Sequence, residues 1–377
     1  MQYYTTRSTM QESGVRSSVF SDSGSQITLR YFDKVSNPKS IHGIYPYRGK
    51  MSALDAAHVI SQLPPAAILL DPFCGTGTIV YEAQAHGMKA IGVDNNPLAC
   101  VIARGKTEPN EVESILDNLS SATCAAQSQD DAPRMPASPA KYFHPDTADQ
   151  IMRMVQVSTN FSFYLLSALY GAICVAARAC NGWLWTSTST GRINEPLRKI
   201  DFYSTLLRKV RKHAEFLNNG PPATIHTHDT RQIHEVVEEE SVDIVYSSPP
   251  YFDALDYTNY YSKIVLEILD IDRASVRKGL IQRYSTYRED MEQALSAIDR
   301  VVHDESLIIF VVGDRKVRGK LIRGSDFFTE LAPWDHSRIV EREYTNTASG
   351  LWDKINRTQR KEQIVVWDLA SGGRKPE

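Results

Sequence analysis

Asp71-Pro72-Phe73-Cys74-Gly75-Thr76-Gly77-Thr78 places two glycines between an apolar run and a helical one. Without a Cβ the backbone can approach a ligand closely, and the first turn of the following helix offers free N–H groups to an anion. The spacing is neither the GxGxxG of a dinucleotide site nor the GxxxxGK[ST] of a phosphate loop. Asp94, followed by Asn95 and Asn96, ends the next apolar run, and Asp229, followed by Thr230, ends a later one. A carboxylate on the second strand tip is where a ribose diol is gripped, and Asp229 would stand within reach of an adenine amino group. A lone aspartate more often caps a turn. Three on one sheet edge, one with a glycine turn, point to a nucleoside cofactor. A further stretch, "VDIVYSSPPYFDALDYTNYYS" (Val242 to Ser262), ends an apolar run in Ser248-Pro249-Pro250-Tyr251 and a crowd of tyrosines.

These residues need a scaffold. "SALDAAHVISQL" has helical spacing with Ser52 as N-cap. "AAILLD" and "KAIGVD" read as buried strands around a helix that stops at Gly87. Strand, glycine turn, helix, strand begins a parallel α/β sheet. From about 105 to 220 the chain reads as helices, broken by a small-residue linker over Ser120 to Lys141. Then "ATIHTHD", "SVDIVYSSPP", "SLIIFVVGD" and "EQIVVWDL" read as strands, with an amphipathic helix over Tyr287 to Val302. The expected domains are a polar N-terminal arm (1–40), a cofactor-binding half (41–105), a helical insertion (106–220) and a catalytic half (221–377).

The FxGxG core from Phe73 to Gly77, after Asp71-Pro72, and the later Ser248-Pro249-Pro250-Tyr251 resemble the amino-group DNA methyltransferases. "YPYRGKM" (Tyr45 to Met51) and "YREDMEQALSAIDRVV" followed by "LIIFVVGDR" are similar to further family segments. The likeness covers 41–105 and 221–370. It implies a Rossmann-like class I methyltransferase sheet with helices on both faces and a mostly helical insertion, and S-adenosyl-L-methionine as cofactor. Phe73, Gly75 and Gly77 would wrap its methionine part, which the segment with Tyr45 and Lys50 would cover, and Asp71 and Thr78 would be further cofactor contacts. Asp94 and Asn95 would take the ribose, and Asp229 and Thr230 the adenine. The tetrapeptide with Ser first is more usual in N4-cytosine members; adenine-N6 enzymes more often begin with Asp. The cofactor motif precedes the catalytic one.

The resemblance gives the Pro-Pro loop its chemistry. An exocyclic base amine is a poor nucleophile because its lone pair is delocalised into the ring. Two acceptors on the NH₂, the Ser248 hydroxyl and the Pro249 carbonyl, would aim that lone pair at the methyl. Pro249 and Pro250 would hold the carbonyl in place, and Tyr251 would stack on a base flipped out of the duplex. Asp253, Asp256, Tyr257, Tyr260 and Tyr261 would extend the pocket wall. No Pro-Cys occurs, so a C5-cytosine nucleophile is missing, and Cys74 reads as a packing residue. The expected activity is cytosine-N4 methylation of double-stranded DNA within a restriction–modification system. Adenine-N6 methylation, guanine-N2 methylation of tRNA and a catalytically silent DNA-binding subunit stand as alternatives.

Net charge −3 over 377 residues, with a pI near 6.4, excludes a uniformly basic coat and leaves room for a local groove. Basic clusters occur at Arg192, Arg198, Lys199 and Arg208 to Lys212, at Arg315, Lys316, Arg318, Lys320 and Arg323, and at Lys354 to Lys361. Charge runs are usually solvated faces. Phosphate contact is expected of Arg315, Lys316 and Arg318, at the catalytic edge of the sheet. Target recognition is expected of the insertion, through Arg198, Lys199 and nearby Trp183, Trp185 and Tyr203. The five scattered cysteines form no CxxC pair, so no metal site and a reduced, cytoplasmic setting are expected. The apolar Phe161–Cys180 carries Arg178 and reads as a buried helix, not a membrane span. A cognate endonuclease is the expected partner.

Overall fold

The computed structural model describes residues 40–47, 51–183, 193, 195–250, 256–259, 261–317, 320–344 and 360–376. Lys50, Tyr251, Asp253, Trp185, Tyr260 and Arg318 lie outside them. Parallel strands β1 (Ile68–Asp71), β2 (Lys89–Asp94), β3 (Ala223–Thr227), β4 (Val242–Ser247) and β5 (Val302–Gly313) form most of one sheet. A separate hairpin, β6 (Arg315–Val317) and β7 (Lys320–Ile322), follows β5. Strands β8 (Arg338–Tyr344) and β9 (Arg360–Asp368) complete the sheet in the order β3-β2-β1-β4-β5-β9-β8. β9 runs antiparallel to both neighbours. The chain leaves β1 outward to β3 and returns to β4 on the other side of β1. The carboxyl ends of β1 and β4 therefore flank a topological switch point, where open α/β sheets bind ligands.

Both sheet faces are covered, so the central strands are apolar throughout. On β5, Ile308, Phe310 and Val312 enter one core and Ile309 and Val311 the other. Helices α1 (Ala53–Ile60), α2 (Thr78–Ala85) and α3 (Pro97–Thr107) contribute Ile60, Val80, Ala83 and Ala103 to the second core. Ser52 caps α1 by accepting from the Asp55 N–H, as its sequence predicts.

A third core belongs to the inserted helices α4 (Val112–Gln127), α5 (Ala137–Ala140), α6 (Pro145–Val157), α7 (Phe163–Cys180) and α8 (Phe202–Ala214). α7 is the apolar helix of the sequence, and it is buried among its neighbours; the Tyr164 hydroxyl donates to Val210 O at 2.7 Å. The linker expected from Ser120 is corrected. α4 runs on to Gln127 because Leu119, Ala122 and Ala126, three and four apart, bury one face. Trp183 is 54% exposed beside Arg178, so it is no core residue. Past β4 come α9 (Tyr261–Ile268), α10 (Arg273–Gly279), α11 (Tyr287–Val301) and α12 (Gly324–Leu331). α9 joins the insertion core, while α11 covers the first sheet face with Met291, Ala294, Leu295 and Ile298, at helical spacing.

Candidate active site

Three contacts tie the strand tips together. Asp71 and Ser247 end adjacent strands, and the Ser247 hydroxyl donates to Asp71 Oδ1 at 2.6 Å. The Gly75 N–H donates to Asp94 Oδ2 at 2.8 Å, fastening the glycine turn to β2. Thr230 Oγ1 donates to Pro72 O at 2.5 Å, fastening the end of β3 to the same turn. Asp94 also accepts from the Asn96 N–H at 2.8 Å. Burial pushes the Asp71 carboxyl up to about 7, against the opposing bonds from Ser247 and Phe73. It pushes Asp94 up to about 6, against the N–H groups of Asn96 and Gly75.

Gly75 (φ +50) and Gly77 (φ +68) adopt the left-handed backbone that other residues rarely take. They differ in purpose. A Cβ on Gly75 would meet only Tyr47 at 3.5 Å, so the backbone there faces the cleft. A Cβ on Gly77 would stand 2.8 Å from the Ala103 Cβ of α3. Gly77 is thus also required by the close approach of α2 to α3.

The cleft encloses about 630 Å³, open solvent included. Phe73, Gly75, Asp94 and Asn95 line it from the first two strand tips, and Asp229 and Thr230 from the end of β3. Ser248, Pro250 and Tyr257 line it from the catalytic loop, and Gly279, Leu280 and Ile281 from the end of α10. An inner recess is walled by Asp71, Phe73, Thr78 and Ser248. The Thr78 hydroxyl is buried there with no partner among the described residues.

Two expected contacts are revised. Tyr45 is 1% exposed in the insertion core, away from the cleft. Tyr47, two residues on, takes its place; its ring stacks on Tyr257 with centroids 6.3 Å apart. Asp229 lines the cleft, but its carboxylate is already held by Arg231, at 2.9 Å from Nε and 2.5 Å from Nη2. Arg231 also pairs with Asp290. A ligand amine would share Asp229 with that guanidinium.

Several supports escaped the sequence reading. Lys106, 1% exposed, donates through Nζ to Thr76 O at 2.5 Å and so holds the glycine turn from beneath. His42 stands 3.4 Å from that Nζ and 2.8 Å from buried Glu82. The Tyr287 hydroxyl donates to Pro250 O at 2.5 Å and anchors the catalytic loop. The Asn95 amide donates to Gly279 O at 3.0 Å. Only the apolar spacing of α11 hinted at Tyr287; a buried lysine carries no local signal.

The expected nucleic-acid residues are dispersed. Arg315 and Lys316 sit on β6, beyond the carboxyl end of β5. Arg198 is exposed, while Lys199 is paired with Asp146 at 2.6 Å. Among the described residues no His, Cys, Asp and Glu group could hold a metal ion.

The sheet order, with β9 antiparallel to its neighbours, and the strand-tip site define a Rossmann-like class I methyltransferase fold. The D12 class N6 adenine-specific DNA methyltransferase family matches residues 53–306, and the chain belongs to that family. Its cofactor is S-adenosylmethionine, and the cleft fits it. Acceptors at Asp94, a bare backbone at Gly75, aromatic walls and the unpartnered Thr78 hydroxyl meet a polar nucleoside with a cationic end.

The Type II methyltransferase M.MjaII of Methanocaldococcus jannaschii is 31% identical over 78 residues, 20% of this chain and 15% of that protein. The Type II methyltransferase M.MvaI of Kocuria varians is 44% identical over 48 residues, 13% of this chain and 11% of that protein. The chain thus matches well under two thirds of either relative's length. Among solved structures, the rRNA methyltransferase aviRa from Streptomyces viridochromogenes aligns with 86% of this chain and 88% of its own at 12% identity, TM-score 0.34.

Proposed function

We propose that the protein methylates an exocyclic amine of a base in duplex DNA, with cytosine N4 as the target, as the modification half of a restriction–modification system. One observation carries the reading: Ser248 and the glycine turn line the same cleft. Bound there, S-adenosylmethionine supplies an electrophilic methyl group on a sulfonium. The chain's own residues do the rest. Ser248 is half-buried at the cleft wall, where its hydroxyl accepts one N–H of the amine. The Pro249 carbonyl, on the same loop, accepts the other N–H. The Pro250 carbonyl is occupied by Tyr287, so the loop is fixed one residue beyond the acceptor. Tyr251 stacks on the flipped base. Asp71, Phe73 and Thr78 surround the methionine end, and Asp94 and Asn95 the ribose.

A second reading is adenine-N6 methylation, favoured by the description of the family itself. The test is transfer of labelled methyl to mixed-sequence duplex DNA, digested to nucleosides and separated. Label in N4-methyl-2′-deoxycytidine supports the first reading and label in N6-methyl-2′-deoxyadenosine the second. Label only in tRNA run alongside refutes both.

A further inference from the structure

Neither the cofactor chemistry nor the three basic clusters read from the sequence accounts for the segment from Arg273 to Tyr284. α10 has no buried residue, and its last turn leads directly into Leu280 and Ile281 of the cleft wall. Two anchors fix it at the cleft mouth. The Asn95 amide on the tip of β2 donates to Gly279 O. Arg273 and Arg277 reach Asp256 Oδ2, just past the catalytic loop, at 3.2 and 3.4 Å.

Charge alone does not single this segment out; its place at the cleft mouth, with few acidic partners among the described residues, does. Arg231, also near the cleft, has Asp229 and Asp290 as partners, and Lys199 has Asp146. Here two guanidinium groups share one carboxylate. Lys278 and Arg283 are exposed and have no acidic partner among the described residues. Asp272, at the far end of α10, is occupied with capping the Ala274 N–H. Tyr284 is 49% exposed beside Arg283. Exposed cations with no acidic partner among the described residues, beside an exposed ring at the mouth of a cleft, suit a polyanion carrying stackable bases.

We infer that Lys278, Arg283 and Tyr284, with Arg277, form a rim that grips the nucleic-acid backbone and seats the target strand over the cleft. The inference rests on the proposed function and adds the surface by which the substrate is held. Neither Lys278 nor Arg283 lines the cleft, so their loss would act on the nucleic acid and spare the cofactor.

The experiment follows binding of a fluorescent mixed-sequence DNA duplex by anisotropy over a salt series, with S-adenosylmethionine affinity measured alongside. For the double variant Lys278→Gln/Arg283→Gln, the slope of log K against log salt should fall by about 2. Affinity at 0.1 M salt should drop on the order of tenfold per lost contact, with cofactor affinity unchanged. Lys89→Gln, at the opposite edge of the sheet, should keep the native slope. A native protein that binds DNA while the double variant keeps its slope overturns the rim alone. A native protein that binds no DNA overturns the functional reading and the rim together.

Discussion

Asp71→Asn separates the shape of this side chain from its charge. The carboxyl is 3% exposed, and Oδ1 accepts from Ser247 at 2.6 Å and from the Phe73 N–H at 3.2 Å. An amide oxygen in the same position keeps both bonds. Burial raises the carboxyl from 3.8 to about 7 in the folded chain, so the folded state holds a proton that the unfolded state releases earlier. The stability tied to that proton is complete below pH about 4 and is lost as pH rises to 7. At 1.36 kcal/mol per tenfold change, the loss reaches about 4 kcal/mol above pH 8. Without its cofactor, the asparagine variant should therefore outlast the native protein in urea. Its advantage should be larger by about 3 kcal/mol at pH 8.5 than at pH 4.5. The proposed function gives the charge a use: the cofactor brings two cationic groups, and an ionised Asp71 in the recess would attract them. The variant should bind S-adenosylmethionine more weakly while folding more stably, a stability–function exchange. Urea melts at both pH values and calorimetric titration read the two effects. An advantage that does not change with pH would refute the argument, because the buried charge would then not be its cause.

Ser248→Ala should abolish or cripple methyl transfer and leave cofactor affinity intact; equal loss of both in calorimetry and turnover would make the loop structural. Lys106→Met strips a charged donor from the Thr76 carbonyl in a fully buried setting, which should cost about 2–4 kcal/mol in urea unfolding. It should also raise the KM for S-adenosylmethionine more than it lowers kcat, because the glycine turn loses its support and Ser248 does not.

The strand tips were legible because backbone chemistry writes them. Glycines at positive φ, an aspartate where each apolar run stops, and a Pro-Pro that ends β4 are local constraints, and Asp71, Phe73, Gly75, Asp94, Thr230 and Ser248 all reach the cleft or its inner recess. What arrives from a distance was not legible. Tyr47 and Tyr45 alternate in one motif, and only the packing of the inserted helices decides which ring turns into the core. Lys106 sits on an apolar helix face, a place where a sequence gives no sign that a carbonyl waits for it. β8 went unread because its charged residues disguise it: Arg338, Glu341 and Arg342 suit an edge strand, which must resist pairing with other chains, better than a buried one.

The charge layout of the recess bears on why position 248 is a serine. Asp71 and Ser248 line the same recess, and Asp94 stands close enough to raise Asp71 further. A carboxylate in place of Ser248 would add an anion to a wall where burial already pushes two carboxyls up to about 7 and about 6. Each would then hold its proton to higher pH, and the recess would attract a cationic cofactor less strongly per carboxyl at neutral pH. In the proposed reaction a hydroxyl would accept from the substrate amine without that penalty. It is also the weaker acceptor, so it depends more on being correctly placed. The structure supplies that placement through Ser247 on Asp71 on one side of Ser248 and Tyr287 on Pro250 on the other. On the proposed function, Ser248 and the two fixed residues around it would form one arrangement, in which geometry substitutes for charge.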